Sequence, residues 1–118
     1  IRLVPLSAKD KEVTRAKMAA RLRVDFTLAA NELTEPGERA VYVRITSPDG
    51  YVMANAQSAT FTYEGDKIIY SATRDVDYQN QDLAVGIYYN GEGITAGQYQ
   101  VEIYMDGNMI GSLKTILR

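Results

Sequence analysis

Cysteine, histidine and tryptophan are all absent from these 118 residues, and proline occurs only three times. Without cysteine there is neither a disulfide nor a thiolate metal site, and the redox compartment cannot be read from the chain. Without histidine, the commonest general base and metal ligand is gone. No apolar run approaches the roughly 20 residues that span a bilayer, so no membrane span is expected in this segment. A Gly-rich loop ending in Lys-Ser or Lys-Thr is also missing, which excludes a P-loop nucleotide site. The chain opens on "IRLVPLSA" with neither an initiator Met nor a signal-peptide pattern. We therefore expect a mature product or a piece of a longer chain.

What is present suits one globular domain. Hydrophobic residues make up 46% and charged residues 24% of a chain long enough for a single core. The net charge of −2 hides an asymmetry. Residues 1–23 carry Arg2, Lys9, Lys11, Arg15, Lys17, Arg21 and Arg23 against Asp10 and Glu12, so the remainder is strongly acidic. A basic arm can contact nucleic acid, an anionic surface or an acidic partner. The acidic balance of the whole chain argues against nucleic acid and for a solubilised early loop and strand.

Period two dominates the pattern. In "ARLRVDFTLAAN", Leu22, Val24, Phe26 and Leu28 alternate with Arg21, Arg23, Asp25 and Thr27, which predicts a half-buried strand. "AVYVRIT" sets Val41, Val43 and Ile45 on one face and Tyr42, Arg44 and Thr46 on the other, after a turn at Pro36-Gly37 in "NELTEPGER". "SPDG" suits a type I turn. "SATFTYEGDKIIYSATRDV" predicts a hairpin turning at Glu64-Gly65-Asp66-Lys67, and "DLAVGIYYN" points Leu83, Val85, Ile87 and Tyr89 inward. Residues 8–20 lack a wide apolar stripe and are expected to be loop.

In "ITAGQYQVEIYMDGNMIGSLKTIL", Tyr99, Val101, Ile103 and Met105 share one face. A two-residue Asp106-Gly107 turn would pair Val101 with Ser112, mixing core with surface. A three-residue loop, Asp106-Gly107-Asn108, pairs Met105 with Met109 and Val101 with Leu113, so the three-residue loop is expected. Seven to nine short strands with regular turn signals imply an all-β chain, an antiparallel β-sandwich with Greek-key connections occupying residues 1–118.

"ITAGQY" resembles the loop into the penultimate strand of immunoglobulin-like and fibronectin type III-like domains, carried by Ile94, Gly97 and Tyr99. The resemblance implies that the Tyr99 hydroxyl ties this loop to nearby backbone. The cysteine pair and core tryptophan of antibody domains are missing, so the chain is not a true immunoglobulin domain. More broadly, "VDFTLAANELTEPGERAVYVRITSPDG", "FTYEG" and "VDYQNQ" are similar to C-terminal sandwich domains of bacterial envelope-associated coiled-coil proteins of unknown function, some labelled chromosome-partition proteins. That resemblance implies a cell-envelope context and a longer parent chain, and transfers no binding residue.

Candidate chemistry is thin. Asp75, Asp77 and Asp82 could hold a cation, but the calcium-loop pattern fails, with Asn80 and Gly86 where Gly and Glu belong. Gly91 and Gly93 have no following helix to bind an anion, and Glu64 and Asp66 at a hairpin tip are solvated acids. Neither an enzyme nor a cofactor is expected. Among the nine tyrosines, Tyr42, Tyr88 and Tyr104 fall out of phase with the inward residues of their strands. With Arg44 they form the expected interaction surface, for a protein partner first and a glycan second.

Overall fold

The computed structural model describes residues 1–31 and 33–118; Glu32, in the loop expected after the second strand, lies outside the described residues. Among those residues there are nine strands: β1 (Arg2–Leu6), β2 (Arg21–Leu28), β3 (Gly37–Thr46), β4 (Thr60–Tyr63), β5 (Asp66–Ile69), β6 (Ala72–Tyr78), β7 (Leu83–Asn90), β8 (Gly97–Met105) and β9 (Asn108–Leu117). The protein is all-β, with every strand pair antiparallel and open edges rather than a closed barrel. One sheet has the order β1-β2-β7, a second the order β6-β3-β8-β9, and β4-β5 stand apart as a hairpin. Residues 8–20 are loop, as expected, with a single 3-10 turn at Ala16–Met18 whose Ala16 reaches the core.

Alternation explains which side of each strand is buried. Leu22, Val24 and Phe26 of β2 and Val85, Ile87 and Tyr89 of β7 share one core with Val41, Val43 and Ile45 of β3 and Tyr99, Val101 and Ile103 of β8. Each such side chain contributes about 1.5–3 kcal/mol by leaving water. Arg74 lies on the same face of β6 as Val76 and Tyr78, and its guanidinium donates across to the Gly86 carbonyl of β7 at 2.8 Å, tying the two sheets together at one margin.

The last hairpin departs from expectation. Its turn has two residues, with Met105 opposite Asn108, yet Val101 still stands opposite Leu113. A β-bulge reconciles the two: Tyr104 pairs with Met109 and Ile103 with Gly111, so Ile110 is the extra residue. Asp106 (φ 53°) and Gly107 (φ 77°) supply the left-handed pair that a tight I′ turn needs. The turn chemistry and the core register are both satisfied because one inserted residue absorbs the slip. The earlier hairpin is also tighter than expected: Tyr63 pairs with Asp66 around Glu64-Gly65, and Asp66 and Lys67 belong to β5. "SPDG" does turn, the Gly50 N–H donating to the Ser47 carbonyl at 2.9 Å.

Candidate functional site

The four expected surface residues do not form one surface. Tyr42, Arg44 and Tyr104 do lie on the outer face of the β6-β3-β8-β9 sheet, where Tyr42 stands opposite Tyr104 and Arg44 opposite Glu102. Tyr88 is on β7, in the other sheet, opposite Arg23. Its ring is 46% exposed and carries the Arg21 guanidinium 4.4 Å from its centroid.

The β4-β5 hairpin then covers the first three. Phe61 stacks flat on Tyr42 with centroids 4.4 Å apart and leans on Tyr104 at 5.1 Å. Tyr63 meets the Tyr104 ring edge-on at 4.9 Å, and Tyr70 tilts against Tyr42 at 5.3 Å. Tyr104 is left only 4% exposed: it lies on the outer face as expected, but covered, so it is not available as part of the expected interaction surface. Aromatic pairs at these separations contribute about 0.5–1.5 kcal/mol each beyond their burial. Arg44 acts as a latch: its Nε donates to the Ile69 carbonyl at 2.9 Å, and Nη1 lies 3.7 Å from Glu102. Burial pushes the Tyr104 phenol above its ordinary pKa, with Arg44 opposing and Glu102 adding to the rise. Desolvation raises Tyr63 in the same way, helped by Glu64.

Where the hairpin leaves the sheet, Ser71 is buried. Its N–H donates to the Val43 carbonyl at 2.7 Å, and its hydroxyl accepts the Ile45 N–H at 2.9 Å. A side chain thus completes the ladder of β3 at the point where the chain departs from it, a role that pattern reading missed. The Tyr99 hydroxyl behaves as the resemblance implied, donating to the Thr95 carbonyl at 2.7 Å and accepting the Thr95 N–H at 3.1 Å. Gly97 permits this corner: its φ is +141°, and a Cβ there would meet Pro48 at 2.8 Å. Tyr78, which the sequence did not single out, makes a similar tie by accepting the Asn31 N–H at 2.6 Å.

The carboxylates considered as a cation site are dispersed. Asp77 accepts the Gln79 amide at 2.6 Å, Asp82 accepts the Ala30 N–H at 2.8 Å, and Asp75 stands opposite Ala40. Among the described residues no group of three or more acidic, histidine or cysteine side chains gathers where it could hold a metal ion. Three of the seven basic residues of the arm are met by acids on β2 and the loop before it. Arg21 pairs with Asp10, Arg23 with Asp25 at 2.7 Å and with Glu12 at 3.6 Å, and Arg2 with Glu12 at 3.7 Å. No helix among the described residues is long and apolar enough to cross a membrane.

With the aromatic face closed, the open feature is β9, at the edge of its sheet. It is ten residues long and carries one formal charge, Lys114. Met109, Ile110 and Ile116 are exposed along it, Ile116 by 71%. Beside its bulge lies a cleft of about 390 Å³ lined by Ile1, Phe26, Leu28, Met105, Ile110 and Gly111, among others.

These features define an all-β protein with two antiparallel sheets, one of them roofed by its own hairpin and open along a single apolar edge. By sequence the chain belongs to the family described as Domain of unknown function (DUF8428), whose model matches residues 2–118. No curated protein and no solved structure matches it.

Proposed function

We infer that the chain is an immunoglobulin-like β-sandwich that serves as a non-catalytic protein-interaction module, with edge strand β9 as its receptive element. The single observation that carries this reading is the contrast between a closed aromatic face and an open, nearly uncharged edge. Edges of this kind take up a further strand through main-chain hydrogen bonds, with side chains supplying selectivity. The sheet orders β1-β2-β7 and β6-β3-β8-β9, together with the Tyr99 corner, support the immunoglobulin-like part of the reading. The test is capture from an extract of cells that make the protein, comparing the wild type with Ile116→Lys at equal folded content. Loss of bound protein with the variant supports the edge; equal capture by both moves the working surface elsewhere.

A glycan is the second reading. Tyr88 lies in a small polar cleft with Asn55, Gln57, Thr73 and Asn90, the mixture of ring and amides that suits a sugar. A glycan-array signal abolished by Tyr88→Ala supports it, and a blank array at saturating protein removes it. The envelope context belongs to the same proposal and is tested by cell fractionation. A nucleoid-associated signal would overturn it and turn attention to the basic arm.

A further inference from the structure

The edges of the two main sheets are not equally protected. Strand β6 carries Arg74, Asp75 and Asp77. Strand β1 contains Pro5, whose carbonyl accepts the Val13 N–H at 3.0 Å, and Leu6 bridges to Glu12. Strand β7 has its Gly86 carbonyl occupied by Arg74. Charges, proline and covering loops are the usual devices that stop edges from pairing. Strand β9 carries its bulge and one charge, Lys114; Ile1 packs at Gly111 on its core-facing side, and just beyond its end the Ala16 N–H donates to the Arg118 carbonyl.

We propose that β9 pairs antiparallel with β9 of a second copy of this chain, across a two-fold axis at Leu113. This names the partner of the edge inferred above and rests on that inference. Between Gly111 and Ile116 the strand is regular, with Ser112, Lys114 and Ile116 facing away from the core and Gly111, Leu113 and Thr115 toward it. Antiparallel self-pairing must place some residue on the axis. Lys114 there sets two ammonium groups against each other, while Ser112 or Thr115 there sets Lys114 against an isoleucine of the other copy. Leu113 on the axis instead sets Lys114 opposite Ser112 and Gly111 opposite Thr115. It also brings Ile116 of each copy onto the exposed Met109-Ile110 bulge of the other.

The same register completes a row of charge. Arg44, Glu102 and Ser112 stand side by side on β3, β8 and β9. The second copy's Lys114 becomes the next member, two strand spacings, or about 10 Å, from Glu102 at the backbone. The small Ser112 between them lets the two long side chains meet. Glu102 lies 3.7 Å from Arg44, a loose pair with room for a second cation. By symmetry the row forms twice, and the two four-stranded sheets become one continuous sheet. Its outer ends are then the charged β6 strands, so assembly closes at two copies instead of growing into a fibre. A single strand-to-strand contact is a small interface, and a dissociation constant on the order of micromolar is expected.

Sedimentation equilibrium over a concentration series tests this with the whole chain, beside Ser112→Lys and the double variant Ser112→Cys/Lys114→Cys, whose cysteines would be the only ones present. The wild type should reach twice the monomer mass. Ser112→Lys puts a cation opposite Lys114 at both ends, yet gains Glu102 within its own chain. It should dimerise at least about tenfold more weakly, a loss of about 1.4 kcal/mol, while its thermal midpoint holds or rises. Mild oxidation should link the double variant into a covalent dimer and leave each single-cysteine variant unlinked, because only the 112–114 pairs come within disulfide reach. A monomeric wild type, a dimer indifferent to Ser112→Lys, or a double variant that stays unlinked overturns the proposal. If the wild type is monomeric but still captures a partner that Ile116→Lys loses, the second copy is wrong and the receptive edge stands. If both fail, neither idea survives.

Discussion

Tyr88 and Tyr104 share a residue type and a strand phase that both point away from the core, yet only one of them meets water. Tyr104 is enclosed by Phe61 and Tyr63, and Tyr104→Ala should destabilise the fold by roughly 3 kcal/mol, as ring deletions in packed sites do. Tyr88→Ala removes an exposed ring and its contact with Arg21 and should cost about 1 kcal/mol or less. Urea unfolding of the two variants separates these values. Three phenols with raised pKa also give a pH signature. Tyr63, Tyr89 and Tyr104 each have a folded pKa raised above 10.0 chiefly by burial. The neutral form is therefore favoured by the fold, and above that pH the unfolded chain loses these protons first. Stability should hold up to about pH 10 and decline beyond it. Tyrosinate absorbance followed beside circular dichroism checks the order: the late-ionising tyrosines should appear together with unfolding.

At the level of elements, the strands themselves were legible because one-sided burial imposes period two, and Leu22-Val24-Phe26 or Val41-Val43-Ile45 can satisfy it in only one phase. What alternation cannot encode is which sheet a strand joins. Tyr88 and Tyr42 look alike in the sequence and part company only because β7 pairs with β2 while β3 pairs with β8. Nor does it encode a second layer on the outer face. The roof over Tyr104 comes from residues distant along the chain, and its signal was only the odd richness of aromatics in "FTY" and "IIY". That roof should be the least cooperative part of the molecule. Phe61→Ala removes its stacked anchor, and amides of residues 60–69 should lose hydrogen-exchange protection while β2, β3 and β8 keep theirs. Uniform loss across all strands would mean that the hairpin is integral to the core.

The whole molecule is dominated by pairings between strands far apart in sequence, β2 with β7 and β3 with β6 and β8. Closing such long loops before any contact forms is slow, and refolding from urea should take milliseconds to seconds by stopped-flow tyrosine fluorescence. A microsecond phase accounting for the full amplitude would contradict that topology. At this scale the candidate site was the least legible part. The tyrosines were conspicuous by type, whereas an edge strand is defined by what does not lie beside it. "NMIGSLKTIL" reads as ordinary hairpin until the strand order leaves it outermost.

The bulge at Ile110 has a consequence for chain length. Removing that residue restores an unbroken ladder in which Asn108 still faces Met105 and Leu113 still faces Val101. Most single-residue deletions within a strand would turn its buried set outward; this one would not. Ile110 is thus a spare residue, a place where the gene could lose a codon and keep the fold. A deletion variant should fold with a straighter final strand, visible as a native-like circular dichroism spectrum and a cooperative melt.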